Sequence, residues 1–349
     1  MSERKMATVR KIVEINPIPD ADAIEVAVVD GWKVVVKKGE FVVNDIVVYC
    51  EIDSWIPFDL APFLSKGKEP KEYNGIKGER LRTVKLRGQI SQGLILPFGV
   101  IMSNCEGEAV STDWNFGDDV SEILNIQKYE PPVPSQLYGL IRGNFPSFVP
   151  KTDQERIQNL KKELQQYIDK KYTFEVTEKL DGSSCTMYMK DGEFGVCSRN
   201  LDLKYDENNT FWKMAIGYDV QDSLIECYGE NVNIAIQGEV IGEGIQGNPY
   251  KWIGQKFFVF DIFDINSQKY FSSDDRIAMC EILKLPHVPI LNLDYKIPEG
   301  FGVDDILELA EDKSDVHINT NREGIVFKCI EDPSISFKSI SNSFLLKQK

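Results

Sequence analysis

Histidine is nearly missing from this chain: only His287 and His317 are present, thirty positions apart. Neither lies in a Glu-rich helical stretch, so a zinc site or a Ser-His-Asp triad lacks its parts. Seven cysteines are scattered without a C-x-x-C pair, a pattern that suits buried reduced thiols in a reducing compartment. No apolar run approaches membrane-spanning length, and Met1 to Arg10 lacks the apolar core of a signal peptide. The expectation is a cytoplasmic protein with no membrane partner and no obligatory protein partner. Positive charge is also short, with 40 Lys and Arg against 55 Asp and Glu and a net charge of −15. That balance argues against indiscriminate nucleic-acid binding. There is no internal repeat and no low-complexity tract.

One segment runs against the overall sign. Between Ser65 and Arg87 stand eight basic residues (Lys66, Lys68, Lys71, Lys77, Arg80, Arg82, Lys85 and Arg87) and three acids (Glu69, Glu72 and Glu79). Around it, residues 7 to about 125 read as mostly β. Short apolar runs occur at Val26 to Val29, Val34 to Val36, Ile46 to Tyr49, Leu81 to Leu86 and Leu94 to Leu96. Turn signals separate them at Asp30-Gly31, Asn44-Asp45, Asn74-Gly75 and Gly88. Five or six short strands suit a small closed barrel, of which the OB-fold is one form. In the expected Leu81–Arg87 strand, Lys85 and Arg87 share a face by the period of two, with Arg82 nearby. Such a face could track a phosphate backbone, or serve as a solvated edge that discourages strand pairing.

Residues 126–150 change character. Five prolines fall within Pro131 to Pro150, with Gly139 and Gly143 between them, which predicts an extended linker and lead-in. Thr152-x-x-Glu155 forms a capping-box pattern, and Ile157, Leu160, Leu164 and Ile168 continue at helical spacing. From Tyr172 onward strands dominate, with helical patterns near Phe211 to Gly217, Asp274 to Leu285 and Asp304 to Ala310. That mixture is α+β. The division expected is therefore a barrel over 1–125, a linker and lead-in over 126–150, and a second domain over 151–349.

The stretch Glu178-Lys179-Leu180-Asp181-Gly182-Ser183-Ser184 places a lysine at the end of a β-patterned run, before a tight polar turn. An amine held there can act as a nucleophile if its surroundings lower its pKa. Alone the pattern is also that of a surface lysine before an Asp-Gly turn. Downstream, in order, come Ser198-Arg199-Asn200, Gln237-Gly238-Glu239-Val240-Ile241-Gly242 and Phe257-Phe258-Val259-Phe260-Asp261-Ile262-Phe263. Then follow Arg322-Glu323-Gly324-Ile325-Val326-Phe327-Lys328, Phe337-Lys338 and Leu345-Leu346-Lys347. This ordered series resembles the motifs of the covalent nucleotidyltransferases: DNA ligases, RNA ligases and messenger-RNA capping enzymes. Phe145-Pro146-Ser147-Phe148-Val149-Pro150-Lys151-Thr152-Asp153 resembles the lead-in of ATP-dependent RNA ligases of the nick-sealing branch, which carry an N-terminal OB domain. The same branch is resembled at Ile18 to Asp22, Asp30 to Val34 and Lys85 to Gly93.

The resemblance implies an N-terminal OB-fold that binds RNA, followed by a nucleotidyltransferase (ATP-grasp-like ligase) domain. It implies that Lys179 takes AMP from ATP, which requires a deprotonated amine; desolvation and nearby positive charge both lower a lysine pKa. Asp181, Glu239 and Glu323 match the family's catalytic acids, one or more of which would hold a hydrated Mg²⁺ or Mn²⁺. Glu239 could bind ribose hydroxyls instead. Phe260 matches the aromatic that stacks on adenine, and Arg199 a phosphate clamp. Lys338, with Lys328 in support, matches the lysines facing the α-phosphate. The expected Lys-x-Lys pair is broken by Ile340, so Lys347, paired with Lys349, stands as a second candidate. The barrel comes first and the chain stops just past the last motif, an order expected of RNA ligases more than of DNA ligases or capping enzymes. The implied activity joins RNA 3′-OH and 5′-phosphate ends at nicks in duplexes. The rival readings are a DNA ligase, a GTP-dependent capping enzyme, or a non-catalytic OB-fold RNA-binding protein.

Overall fold

A computed structural model describes residues 4–104, 114–130 and 139–347. Pro131, Pro132 and Pro134 of the expected linker, and Lys349, lie outside these. The described residues fall into two compact units. One lies within Ser2–Pro132, Ile157–Glu163 and Leu345–Lys349, the other within Val133–Arg156 and Leu164–Phe344.

The first unit is built on a five-stranded antiparallel sheet. Its order is Leu94–Pro97, Ile46–Cys50, Ala7–Pro17, Ile24–Val29, Trp32–Lys37. The eleven-residue first strand has a bulge between Ile12 and Glu14; residues before it pair with Ile46–Cys50 and residues after it with Ile24–Val29. The extra residue bends the strand, which lets the sheet curl. Closure is completed by side-chain and backbone bonds: the amide of Val35 donates to Ser91 Oγ (2.9 Å) and that of Gln92 to the Lys33 carbonyl (2.8 Å). Alternation along Ile46–Cys50 sends Val47 and Tyr49 into a core with Trp32, Ile12 and Ile95, and Val48 and Cys50 into a second with Ile56, Ile101 and Leu124. The predicted turns form where left-handed backbone is needed, with positive φ at Asp30, Asn44, Asn74-Gly75 and Arg87-Gly88.

The strand expected over Leu81–Arg87 is shorter in the structure. Only Val84–Leu86 is extended, and it pairs with Gln89–Ser91 across the Arg87-Gly88 turn. Arg87 therefore sits in the turn and does not share a strand face with Lys85. Its backbone is left-handed (φ 49°), the geometry a two-residue hairpin demands. Strands at Ser54–Pro57, Lys71–Tyr73 and Ile76–Arg80, too polar to stand out in the sequence, form a second sheet with Gln127–Lys128.

The helix predicted from Thr152 starts later. Glu155 and Arg156 instead pair in parallel with Phe337 and Lys338, Ile157–Asn159 is a 3₁₀ turn, and the α-helix spans Lys161–Asp169. The capping-box pattern lost to tertiary pairing, and to a polar network that claims Asn159. Asn159 Nδ2 donates to Glu51 Oε1 and its Oδ1 accepts from Trp32 Nε1, both at 2.5 Å, within the first unit.

The second unit holds two sheets. A seven-stranded sheet runs Ile141–Asn144, Leu201–Leu203, Glu193–Ser198, Ser183–Lys190, Ile234–Gly242, Gln255–Asp264, Lys269–Tyr270. A five-stranded sheet runs Glu155–Arg156, Ser336–Ile340, Gly324–Cys329, Thr173–Lys179, Ile290–Lys296. Helices Thr210–Gly217, Val220–Tyr228 and Ser273–Ile282 supply Trp212, Leu224 and Met279 to the core on one face of the larger sheet. The described part of the lead-in is packed and not loose. Ile141–Asn144 pairs with Leu201–Leu203, and Phe145, Phe148 and Val149 join Tyr188 and Phe263 in a core of their own. Among the described cysteines all are free thiols and only Cys227 is exposed. Among the described residues no helix is long and apolar enough to cross a membrane.

Candidate active site

Lys179 is the last residue of a five-stranded-sheet strand, and Ser183 is the first of a strand in the larger sheet. Leu180, Asp181 and Gly182 carry the chain between the two. A Cβ on Gly182 would come within 2.4 Å of the Val240 carbonyl and 2.9 Å of Glu239 Cγ, so only glycine lets the turn lie against the strand bearing Glu239. Gly324 has the same role beside Glu323: a Cβ there would meet the Ser339 carbonyl at 2.2 Å. Lys179 and Gly324 are cross-strand partners, which brings Glu323 to the amine.

The Lys179 amine donates to Glu323 Oε1 at 2.7 Å, with 27% and 13% of the two side chains exposed. Burial pulls the amine's pKa down, but Glu323 and Glu239 outweigh it and the net displacement is upward. A nucleophilic amine was expected to have a lowered pKa; the surrounding carboxylates reverse that direction here. The acids respond in kind. Burial, reinforced by Glu323, pushes Asp181 up to about 7, against the pull of Lys179. Burial pushes Glu239 up to about 8, with Glu323 and Asp181 adding to the rise and Lys179 and Arg199 opposing it. Negative charge outweighs positive here, and burial with it favours the protonated form of Asp181 and Glu239.

That imbalance tests whether a divalent ion fits. Among the described residues no three acidic, His or Cys side chains converge closely enough to enclose a bare ion. Crowded oxygen donors with unmet negative charge, too far apart to cage a cation directly, suit an ion that keeps its waters. Asp181, Glu239 and Glu323 fit a hydrated Mg²⁺ or Mn²⁺ in that sense.

Phe260 is the extra residue of a bulge. Gln237 pairs with Asp261 and Gly238 with Val259, leaving Phe260 without a cross-strand partner. Its ring is half-buried beside Leu180, Ile241 and Phe258. Bulges re-aim a side chain, and this one is pinned: Lys328 Nζ donates to the Phe260 carbonyl and to Asp261 Oδ1, the latter at 2.7 Å. Lys328 is therefore committed to the wall that carries Phe260. Burial lowers its pKa despite Asp261. Behind the same wall Arg276 donates to both oxygens of the fully buried Glu175 and, from Nε, to His287 Nε2 at 2.9 Å.

Arg199 and Lys338, the two cations expected on the phosphate side, meet through a residue not singled out from the sequence. Asp153 accepts from Lys338 Nζ at 3.0 Å and lies 3.6 Å from Arg199 Nη2. The lead-in carboxylate holds both cations on the same side. Arg199 is 57% exposed, while Lys338 is 10% exposed. Lys347 is exposed just past the short helix Asn342–Leu345 and groups with the first unit. Two further unsuspected residues support the neighbours of Lys179. Glu178 is buried, and its Oε2 accepts the Asp315 amide at 2.8 Å. Tyr250 Oη accepts the Asp181 amide at 2.7 Å.

A family model described as RNA ligase matches residues 172–344, and one described as an OB-fold domain matches residues 6–98. No curated protein matches the chain. Among solved structures, a Naegleria gruberi RNA ligase with PPi is 44% identical, covers 99% of each chain and has a TM-score of 0.86. A glutamate-to-alanine variant of that ligase with AMP and Mn has the same identity and coverage and a TM-score of 0.87. An apo aspartate-to-alanine variant, again 44% identical, covers 100% of this chain and 99% of its own, at a TM-score of 0.88.

Proposed function

The chain belongs to the RNA ligase family, and from that premise we propose that it is an ATP-dependent RNA ligase that joins 3′-OH to 5′-phosphate ends through a lysyl-AMP intermediate, with nicks in duplexes as its substrate. The observation that carries the reading is the Lys179 amine at a strand end, 2.7 Å from Glu323 and within electrostatic reach of Glu239 and Asp181.

Three nucleotidyl transfers follow. Lys179 Nζ attacks the α-phosphorus of ATP; the N–P bond forms, the bond from that phosphorus to the bridging oxygen breaks, and pyrophosphate leaves. A 5′-phosphate oxygen of RNA then displaces the lysine from the same phosphorus. Finally the 3′-hydroxyl oxygen attacks the 5′-phosphorus, its proton is lost, and AMP leaves. A divalent ion near the α-phosphate supplies charge neutralisation. Asp181, Glu239 and Glu323 would hold it, and once their charge is met they no longer keep Lys179 protonated. Arg199 and Lys338, held by Asp153, are the chain's own cations for the phosphates. Phe260 offers its ring to the adenine, and Lys328 keeps the bulge in shape behind it. Lys347, on the other unit, is left without a role in this account.

RNA contact falls to the first unit. Of the eight basic residues in 65–87, Lys71, Lys77 and Arg80 are ion-paired with Glu79, Glu69 and Asp53. Arg82, Lys85 and Arg87 are exposed around the Val84–Ser91 hairpin, with no ion pair among the described contacts. Exposed cations without acid partners in an acidic chain favour phosphate contact over a solvated edge.

The test compares nicked duplexes. Sealing is expected with a 5′-phosphate, with RNA at the 3′-OH strand, and with ATP. Equal sealing of an all-DNA nick would favour a DNA ligase, transfer from GTP a capping enzyme, and RNA binding with no sealing a non-catalytic module.

A further inference from the structure

The loop joining the strands Ile234–Gly242 and Gln255–Asp264 is wound to an unusual degree. Gly242, Gly244, Gln246, Gly247, Asn248, Lys251 and Gly254 all have positive φ, three of them not glycine. Side chains with a Cβ occupy that region at a cost, which persists only where the surroundings over-determine it. Here they do. The Glu243 amide bonds the Gly254 carbonyl at 2.8 Å, Asn248 Nδ2 bonds the Trp252 carbonyl at 2.9 Å, and the Trp252 amide returns to Asn248 Oδ1 at 3.0 Å.

What the winding achieves is the placement of Tyr250. Its ring is 1% exposed, packed with Leu180, Ile241, Phe258 and Val288, and its Oη takes the amide hydrogen of Asp181 at 2.7 Å. The same loop grips the next residue: Gln246 Nε2 donates to the Gly182 carbonyl at 3.2 Å. A third tie runs to the segment leading into Glu323, where Thr320 Oγ1 donates to the Pro249 carbonyl at 2.6 Å. One loop, leaving the strand of Glu239, therefore grips the turn of Lys179 and Asp181 and the approach to Glu323.

We propose that Tyr250 is a positioning residue for the divalent ion: by capping the Asp181 amide its phenol fixes the turn so that the Asp181 carboxylate stays aimed at Glu239 and Glu323. This rests on the ligase reading of the same acids. Without the phenol oxygen the Asp181 amide loses its partner, and the turn can rotate to find another. A hydrogen bond of this kind is worth about tenfold or more in any equilibrium that depends on it.

The test measures Mn²⁺ binding directly, from loss of the free-ion paramagnetic resonance signal, in the full chain and in Tyr250→Phe, Asp181→Asn and the double variant. Adduct formation with ATP is followed in parallel. Tyr250→Phe is expected to weaken Mn²⁺ binding about tenfold and to add nothing in the Asp181→Asn background, because it acts only through that carboxylate. Wild-type affinity in Tyr250→Phe would overturn the proposal, as would losses that multiply in the double variant. Should Tyr250→Phe fail to fold, Gln246→Ala cuts the exposed grip on Gly182 and is expected to weaken Mn²⁺ binding in the same direction; unchanged binding there counts against the proposal. Wild-type protein that forms no adduct would instead defeat the ligase reading, a result distinguishable from either.

Discussion

Adding a divalent ion should expel protons from the carboxyl groups around Lys179. Asp181 is raised to about 7 and Glu239 to about 8. At pH 7 the first is about half protonated and the second about nine-tenths, so the pair holds nearly one and a half protons that a cation must displace. At pH 8.5 the pair holds only about a quarter of a proton. Lys179 lowers both carboxyl groups, so Lys179→Met should raise the pH 7 release toward about two and also removes the amine's own proton from the count. The assay is a pH-stat titration with Mn²⁺ in unbuffered salt, repeated at both pH values. Asp181→Asn and Glu239→Gln should each remove their own share. The same shifts fix a stability trend. Both carboxyl groups are raised above their unfolded values, so their contribution is full below about pH 4 and is lost as pH climbs through 7 and 8. Mn²⁺ should therefore protect the protein against heat more at pH 8 than at pH 6. Release below about a third of a proton at pH 7, or more from Lys179→Met at pH 8.5 than at pH 7, would refute the idea that protons stand in for a cation here.

Phe260→Ala should raise the KM for ATP by about three- to tenfold in adduct formation, with a smaller effect at saturating ATP, if the bulged ring stacks on the base. Replacing Lys85 and Arg87 with alanine should weaken binding to nicked RNA and reduce its salt slope by about two, leaving adduct formation intact. Glu175→Gln leaves Arg276 buried beside a neutral amide and should cost about 3–5 kcal/mol in chemical unfolding of the second unit. Replacing both partners with leucine and methionine should recover most of that loss.

The motif residues were legible because their chemistry is tied to local sequence. Lys179, Asp181, Glu239 and Glu323 stood out as members of an ordered motif series; taken singly, an acid beside a glycine at a strand end, as at Glu239 and Glu323, reads equally well as a solvated turn. The hairpin turns at Asp30-Gly31 and Asn74-Gly75 were legible because left-handed backbone selects those residues. What escaped depends on long-range pairing. Asp153 looked like one polar residue in a lead-in, and only the folded chain brings it to Lys338, 185 positions away. Tyr250 reads as an ordinary core aromatic until its oxygen meets the Asp181 amide. Lys328 belongs to a phosphate-side motif by sequence, yet its amine is taken up by Asp261 across the bulge. Thr152 and Glu155 carried a helix-start pattern, and pairing with the Ser336–Ile340 strand overrode it. The helix Val220–Tyr228 was missed because it follows the preceding helix within three residues, with no side-chain cap at Asp219 to announce it.

The central claim is a covalent bond between Lys179 and AMP. The most direct measurement strips the purified protein with pyrophosphate, incubates it with α-labelled ATP and Mn²⁺ or Mg²⁺, and resolves it on a denaturing gel. The account predicts label that stays on the wild-type chain, is absent from Lys179→Ala, and is chased off by pyrophosphate or by 5′-phosphorylated nicked RNA. Label that persists in Lys179→Ala would move the nucleophile elsewhere, and no label with ATP or GTP would contradict the ligase mechanism itself.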